Sequence, residues 1–141
     1  MGTAGVFNYT FPGGKTKTTS DTAANDSDKI IAVPTGKKWL IKSILIEFVA
    51  TATVGNRVIA VRIQDAAHDV QYETRSDTIT ASNWLFIEAI PGCNYGTLSN
   101  MRCIPLPNPC VLVAGEEIAV KDDNAIDAAA DDMVIHIRHQ E

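Results

Sequence analysis

The amino-acid sequence predicts an all-β protein, a sandwich or barrel of about eight short strands. Apolar and polar residues alternate at a period of two over residues 57–65 and 133–139, which is typical of half-buried strands. Clusters of Pro, Gly, Asn and Asp interrupt the apolar stretches at intervals of about 8–12 residues, as turns between strands do. No stretch has a convincing helical period. The 141 residues are enough for one domain with a sizeable core.

The densest apolar pattern lies in residues 33–65, VPTGKKWLIKSILIEFVATATVGNRVIAVRIQD. It predicts a long strand at 39–49, followed by a Val-Gly-Asn turn and a second strand. In the first strand both alternating sets are apolar, with Ile44 and Ile46 in one set and Leu45 in the other. A strand with two apolar faces is either central or faces a second subunit on its outer side. We therefore expect it to serve both core and subunit interface, with Ile44 and Ile46 as candidate interface residues.

The other strands are shorter or less regular. They are predicted at residues 29–33, 70–74, 78–90, 101–104, 111–113 and 117–121. Trp84 lies in the longest of these stretches, and Glu88 shares its face, so that this face meets solvent or a partner. Trp84 is therefore a further candidate interface residue. Residues 91–110 contain four of the six prolines and predict an irregular crossing, because proline cannot donate to a β-ladder.

Residues 1–28 predict an extended N-terminal arm, which leaves residues 29–141 as the β-sandwich domain. The arm is rich in Gly, Thr, Ser, Asp and Asn and has too little apolar surface to offset its ordering entropy. It nevertheless contains an aromatic alternation at Phe7, Tyr9 and Phe11. Two interpretations stay open here: a flexible arm, or an arm that orders against a neighbouring subunit through these three aromatic residues.

Composition argues against several classes of partner. The formal net charge is −5 and the Lys and Arg residues are scattered, which disfavours nucleic-acid binding. No apolar run approaches the ~20 residues of a membrane-spanning helix, and the N-terminus lacks the pattern of a signal peptide. We expect synthesis in a cytoplasm and no membrane partner. The three cysteines form no Cys-x-x-Cys pair, so we expect buried free thiols instead of a disulfide framework or a zinc site.

One acidic loop is the best candidate for a metal site. Its weak candidate ligands are Asp122, Asp123, Asp127 and Asp131, because calcium favours several carboxylate oxygens on a flexible loop. The EF-hand pattern is absent, the loop has no glycine, and Asp is also favoured in turns for its local hydrogen bonds. The sequence therefore favours turn chemistry, and we expect no cofactor.

The sequence contains no catalytic signature. Residues His136 and His139 are three apart on a predicted strand and therefore point to opposite faces, where they cannot share a ligand. No serine lies on a nucleophile elbow. We expect a protein without enzymatic activity.

Four segments together resemble a known family. They are the segment 33–65 quoted above, a Trp-Leu-Phe strand ending in Pro-Gly, LPNPCVLVAGEEIAVKD, and AIDAAADDMVIHIR. Over about residues 29–139 the chain resembles the jelly-roll decoration (cement) proteins of tailed-phage capsids. The resemblance implies a jelly-roll-like antiparallel β-sandwich and a homo-oligomer, commonly a trimer. It further implies binding to the major capsid protein on the outside of the phage head, with stabilisation of the shell after expansion. The protein would be made in the host cytoplasm and end on the virion surface, and its arm would take part in attachment.

A second function fits the same fold class. A receptor- or carbohydrate-binding jelly-roll module of a phage tail fibre or tailspike would use the tryptophans as sugar platforms and the acidic loop as a calcium site. The polar arm before a single compact domain favours the decoration protein. A fibre tip more often follows a long repetitive shaft, which this sequence does not contain.

Overall fold

The computed structural model describes residues 15–124, 126 and 130–141. These residues form two β-sheets and no helix, so the prediction of an all-β sandwich is confirmed. The strands are β1 (Thr16–Asn25), β2 (Lys29–Ala32), β3 (Lys38–Val49), β4 (Ile59–Gln64), β5 (Val70–Arg75), β6 (Trp84–Pro91), β7 (Gly96–Leu98), β8 (Met101–Leu106), β9 (Val111–Val113), β10 (Glu117–Asp122) and β11 (Asp132–Gln140). The described part of the chain accordingly holds no helix that could cross a membrane.

The strand order is that of a jelly roll. The large sheet runs β1-β11-β3-β6-β8-β7, with β9 also paired to β3, and the small sheet runs β2-β10-β4-β5. Eight of these strands, four per sheet, make the two Greek keys of the fold. Of the other three, β7 and β8 lie in the proline-rich crossing, which is therefore more regular than expected, and β9 follows that crossing. All neighbours pair antiparallel except β6 and β8, which are parallel.

The core lies between the two sheets. The large sheet contributes the side chains of Phe48, Ile87, Ile135 and Ile137, and the small sheet those of Ile59, Val61, Ile118 and Val120, all of them 0% exposed. Burial of one such side chain contributes about 1.5–3 kcal/mol. This apolar layer accounts for the period-two pattern of the sequence.

Halfway along strand β3, the side chains that face the core change from one alternating set to the other. Ser43 pairs with Arg138 but Ile41 pairs with the next residue, His139, so Lys42 is an extra residue on β3. Such a β-bulge moves the following side chains to the opposite face. Both alternating sets are therefore apolar, because each set faces the core on one side of the bulge.

The bulge corrects the interface prediction for Ile44 and Ile46. Both side chains lie in the core, where they are 1% and 0% exposed. They are not available at the surface for a second subunit. Leu45, on the other face of β3, is only partly buried.

The sandwich begins earlier in the chain than the expected boundary at residue 28. Strand β1 pairs with β11, from Thr16 opposite Gln140 to Asp21 opposite Ile135. It is an edge strand of mostly exposed polar residues, so it has no apolar periodicity. The candidate interface residues Phe7, Tyr9 and Phe11 lie outside the described residues.

The predicted strand at 78–90 is shorter in the structure. Strand β6 starts only at Trp84, and Ile79 forms an isolated bridge with Arg57 instead. Between them Ser82 has a positive φ of 61°, and its N–H donates to the Thr51 carbonyl at 2.7 Å. This turn sets where β6 begins and so which of its residues lie opposite β3.

Candidate functional site: an apolar surface stripe and a buried acidic cluster

The outer face of the large sheet carries a continuous row of exposed apolar side chains. We call Val49, Trp84, Phe86, Met101 and Leu98 the apolar stripe. Strand pairing places Val49 opposite Trp84, Phe86 opposite Met101, and Met101 opposite Leu98, so the stripe crosses β3, β6, β8 and β7. Four of its members are exposed by 46–75%, and Phe86 is partly exposed. Such a contiguous patch is typical of a contact surface.

Trp84 and Phe86 give the stripe a defined shape. Their rings meet edge to face, with centroids 5.2 Å apart and planes at 86°. Trp84 is the sequence-predicted interface residue that the structure places at the surface, 48% exposed. Aromatic side chains held in place on a sheet lose little freedom on binding and are common anchors of interfaces.

A groove of about 300 Å³ borders the stripe beside β7 and β8. Glu88, Thr97, Met101 and Cys103 contribute to its lining. The Sγ atom of Cys103 lies 2.6 Å from that of Cys93. Burial, and then the neighbouring Cys93 thiol, raise the pKa of Cys103 to about 11, so this thiol is not ionised at neutral pH.

The third cysteine behaves as the sequence predicts. Cys110 is 2% exposed, and burial raises its pKa to about 12. It packs as a small apolar side chain in the core.

A second feature is a cluster of three buried aspartates where the sheets meet. We call Asp26, Asp122 and Asp131 the acidic cluster. Asp26 follows β1, Asp122 ends β10 and Asp131 precedes β11, so the three chain segments come from both sheets. One carboxylate oxygen of each lies within 4.8 Å of the others, and the three residues are 4%, 5% and 0% exposed.

Asp131 is held by Arg57 in a fully buried, two-pronged ion pair. The Nε and Nη2 atoms of Arg57 donate to Oδ2 at 2.7 Å and Oδ1 at 3.1 Å. The backbone N–H of Thr51 also donates to Oδ1, at 2.7 Å. Burial alone would raise the pKa of Asp131, but the hydrogen bonds from Arg57 and Thr51 outweigh it and leave this pKa below its ordinary value. Asp131 is therefore a carboxylate.

The other two aspartates lack such support. Oδ1 of Asp122 accepts hydrogen bonds from the N–H groups of Val58 and Asn124, at 3.3 and 3.0 Å. Oδ2 of Asp122 and both carboxyl oxygens of Asp26 have no donor among the described residues. Burial, then the adjoining carboxyl of Asp122 and the charge of Asp131, raise the pKa of Asp26 to about 8. Two carboxyl groups therefore face each other without a compensating cation.

The structure rearranges the predicted metal candidates. It brings Asp122 and Asp131 together, but Asp123 points elsewhere and pairs with Arg62 and Arg75. Asp127 lies outside the described residues. The sequence reading missed Asp26 and Arg57, which are distant along the chain from the acidic loop. Only the pairing of β1 with β11 and the approach of the chain before β4 bring them to it.

The two predicted strand histidines lie on opposite faces, as expected. His136 is partly exposed, and its Nδ1 lies 2.8 Å from Oγ of Ser20 on the adjacent edge strand. His139 is 2% exposed and stacks on Trp39, with ring centroids 3.8 Å apart. The two rings cannot share a ligand.

No model of a known protein family matches the chain, and no curated protein matches it. The apolar stripe and the acidic cluster are therefore the features from which a function can be inferred.

Proposed function

We propose that the protein is a viral structural protein, a decoration or cement subunit that binds the outside of a phage head and stabilises it. The observation that carries this proposal is the apolar stripe, a contact surface on a rigid sheet that one chain leaves exposed. The four sequence segments that resemble decoration proteins supply the class of partner. The proposal assigns no catalytic step to the protein.

The stripe is proposed to bury itself against a second copy of this chain. In a trimer with three-fold symmetry each copy uses two different patches, because the contact runs head to tail around a closed ring. A second apolar patch lies on the large sheet at β9, where Val111 and Val113 are 42% and 44% exposed and pair with β3. The stripe of one copy and the β9 patch of the next would form each contact.

Stabilisation of the shell then follows from mass action. A trimer that binds only the expanded head lowers the free energy of that state in proportion to the logarithm of its concentration over Kd. Three linked binding surfaces also bind more tightly than one, because the second and third contacts form within one complex. Edge strand β1 can accept a further strand, so attachment by strand addition is proposed at this edge.

Co-sedimentation with expanded, empty heads of the phage that encodes the protein tests this function. Two matched variants sharpen the test: Val49→Lys in the stripe, and Val70→Lys at an equally exposed site on the small sheet, 49% against 48%. We expect wild type and Val70→Lys to sediment with the heads and Val49→Lys to bind at least tenfold more weakly. Wild-type protein that stays in the supernatant at saturating concentrations would refute the capsid role.

The exposed Trp84 also favours a second candidate, a carbohydrate- or receptor-binding module. Its indole lies on the same sheet face as the 300 Å³ groove, an arrangement in which sugars stack on aromatic rings. The only other tryptophan, Trp39, is 3% exposed, so a change of fluorescence on binding would report Trp84. A saturable shift with one member of a glycan panel would favour this module. No shift with any glycan, with and without a chelator, would count against it.

A further inference from the structure

We propose that Asp26, Asp122 and Asp131 form a binding site for a divalent cation, with Ca²⁺ as the ion that fits. The site is separate from the apolar stripe and does not depend on the capsid role. The three residues bring one carboxylate oxygen each to within 4.8 Å of the others. Oxygens at such separations can bind one Ca²⁺ ion, whose bonds to oxygen are about 2.3–2.6 Å long in a flexible geometry, whereas Mg²⁺ requires bonds of about 2.0–2.1 Å in a strict octahedron.

The first support beyond proximity is a set of unpartnered, buried oxygens. Asp26 is 4% exposed, and neither of its carboxyl oxygens accepts a hydrogen bond from an N–H or hydroxyl group of the described residues. The carboxyl group of Asp122 adjoins it and can share a proton with it. Oδ2 of Asp122 is also buried and accepts no hydrogen bond from an N–H or hydroxyl group of the described residues. Buried polar atoms are nearly always hydrogen-bonded, and a buried carboxylate without a partner is strongly destabilising. Oxygens without donors, in carboxyl groups that bring one oxygen each to within 4.8 Å of the others, are what a cation requires.

The second support is the charge of the cluster. Three aspartates face one buried arginine, and all five N–H groups of Arg57 are engaged elsewhere. Two bond to Asp131, two to the carbonyls of Thr53 and Gly55 at 2.9 Å each, and one to the Thr51 hydroxyl at 3.4 Å. None donates to Asp26 or Asp122. A divalent cation would replace the proton of Asp26 and neutralise the carboxylates of Asp26 and Asp122 together.

The buried lysine nearest in sequence does not provide this charge. Lys29 is 1% exposed and lies three residues after Asp26. Its ammonium donates to the Ala23 carbonyl at 2.7 Å and to Oδ1 of Asn25 at 3.1 Å, and it lies 3.5 Å from Asp21. Its ammonium is therefore engaged by residues of β1, and none of these contacts is with an aspartate of the acidic cluster.

Asp131 can bind an ion without releasing Arg57. Its Oδ2 accepts one hydrogen bond, from Nε of Arg57, and an ionised carboxylate oxygen has about two lone-pair sites. The ion would therefore meet the second site of Oδ2, together with Oδ2 of Asp122 and the carboxylate of Asp26. It would tie the end of β1 and the start of β11 in the large sheet to the end of β10 in the small sheet.

The experiment measures Ca²⁺ binding to the full-length protein after treatment with EDTA and buffer exchange. Calorimetric titration with CaCl₂ gives the stoichiometry, and thermal unfolding with CaCl₂, MgCl₂ or NaCl of equal ionic strength gives the effect on stability. We expect one Ca²⁺ per chain. We also expect a melting temperature raised by about 5–10 °C at a Ca²⁺ concentration 100-fold above Kd.

Two isosteric variants locate the site. Asp26→Asn should fold, because Asn replaces one unpartnered oxygen by an amide of the same shape, and it should bind Ca²⁺ at least tenfold more weakly. Asp69→Asn, in an exposed turn, should respond like wild type. If Asp26→Asn fails to fold, titration of the wild-type protein alone still decides the question.

Three results would overturn the assignment. The first is an absence of heat and of thermal shift with millimolar CaCl₂ beyond the NaCl control, which would mean that Asp26 and Asp122 share a proton instead. The second is a shift with MgCl₂ as large as that with CaCl₂. The third is undiminished Ca²⁺ binding by a folded Asp26→Asn variant.

Discussion

Arg57 and Asp131 form an ion pair in which both side chains are 0% exposed, with a distance of 2.7 Å from Nε to Oδ2. The pair joins the chain before β4 to the chain before β11 and so links the two sheets at one end of the sandwich. It also fixes the position of Asp131 within the acidic cluster.

Replacing Arg57 by Met should lower the free energy of unfolding by about 3–5 kcal/mol, because it leaves the Asp131 carboxylate buried without its partner. Urea denaturation followed by circular dichroism measures this. The control is Arg62→Ala, which removes partly exposed pairs with Glu73 and Asp123 and should cost about 1 kcal/mol or less. Equal decreases in the free energy of unfolding would mean that the buried Arg57 pair contributes no more to stability than the partly exposed pairs of Arg62.

Deleting Leu45 should unfold the domain or convert it to an uncooperative state, because a shift of one residue exchanges the two faces of a strand and would turn Ile46 and Phe48 to the outer face of the sheet. The matched control is deletion of Lys42, which removes only the extra residue. Ile41 can then stay opposite His139 and Ser43 opposite Arg138, so this variant should fold cooperatively. Urea denaturation followed by circular dichroism measures both variants. A Leu45 deletion as stable as the Lys42 deletion would show that the register can slip without cost.

Much of the fold could be predicted because its signal is apolar periodicity. The strands with one buried face, such as β4 and β11, alternate cleanly in the sequence and occur where expected. Strand β3 occurs where the sequence predicts it, but the roles of its two apolar sets cannot be predicted, because a one-residue bulge and a strand buried on both faces give the same pattern. Strand β1 lies within the predicted arm, because an edge strand with few buried residues has no such pattern.

The acidic cluster could be predicted only in part, for a related reason. Asp122 and Asp131 flank one loop, so proximity in sequence suggests their proximity in space. Asp26 is the residue whose carboxyl oxygens accept no hydrogen bond from an N–H or hydroxyl group of the described residues, and it comes from the end of a strand that the sequence does not reveal. Long-range pairing of β1 with β11 is what carries it to the site.

The stability of the protein in EDTA should depend on the protonation of Asp26. Burial and the neighbouring carboxyls raise its pKa from 3.8 to about 8 in the folded state, so between these values the folded protein holds a proton that the unfolded chain has lost. This contribution is fully present below about pH 4 and is lost as the pH rises through 8. The free energy of unfolding of wild type minus that of Asp26→Asn should therefore decrease from pH 4 to pH 8.

We compare wild type with Asp26→Asn because the buried His139 also makes the free energy of unfolding depend on pH. Burial lowers its pKa below 6.5, so its contribution is present above that pH and is lost as the pH falls. The sign is opposite to that of Asp26, but both proteins carry His139, and its effect cancels in the subtraction. A difference that is constant from pH 4 to pH 8 would mean that Asp26 is ionised throughout.

The most direct test of the central claim is the mass of the free protein by size-exclusion chromatography with light scattering. The chain has a mass of 15.2 kDa, and the account predicts three times that mass, about 46 kDa, for wild type and for Val70→Lys. Val49→Lys, which places a charge in the apolar stripe opposite Trp84, should elute as a folded monomer. Wild-type protein at 15.2 kDa over the whole concentration range, or a Val49→Lys variant that remains trimeric, would contradict it.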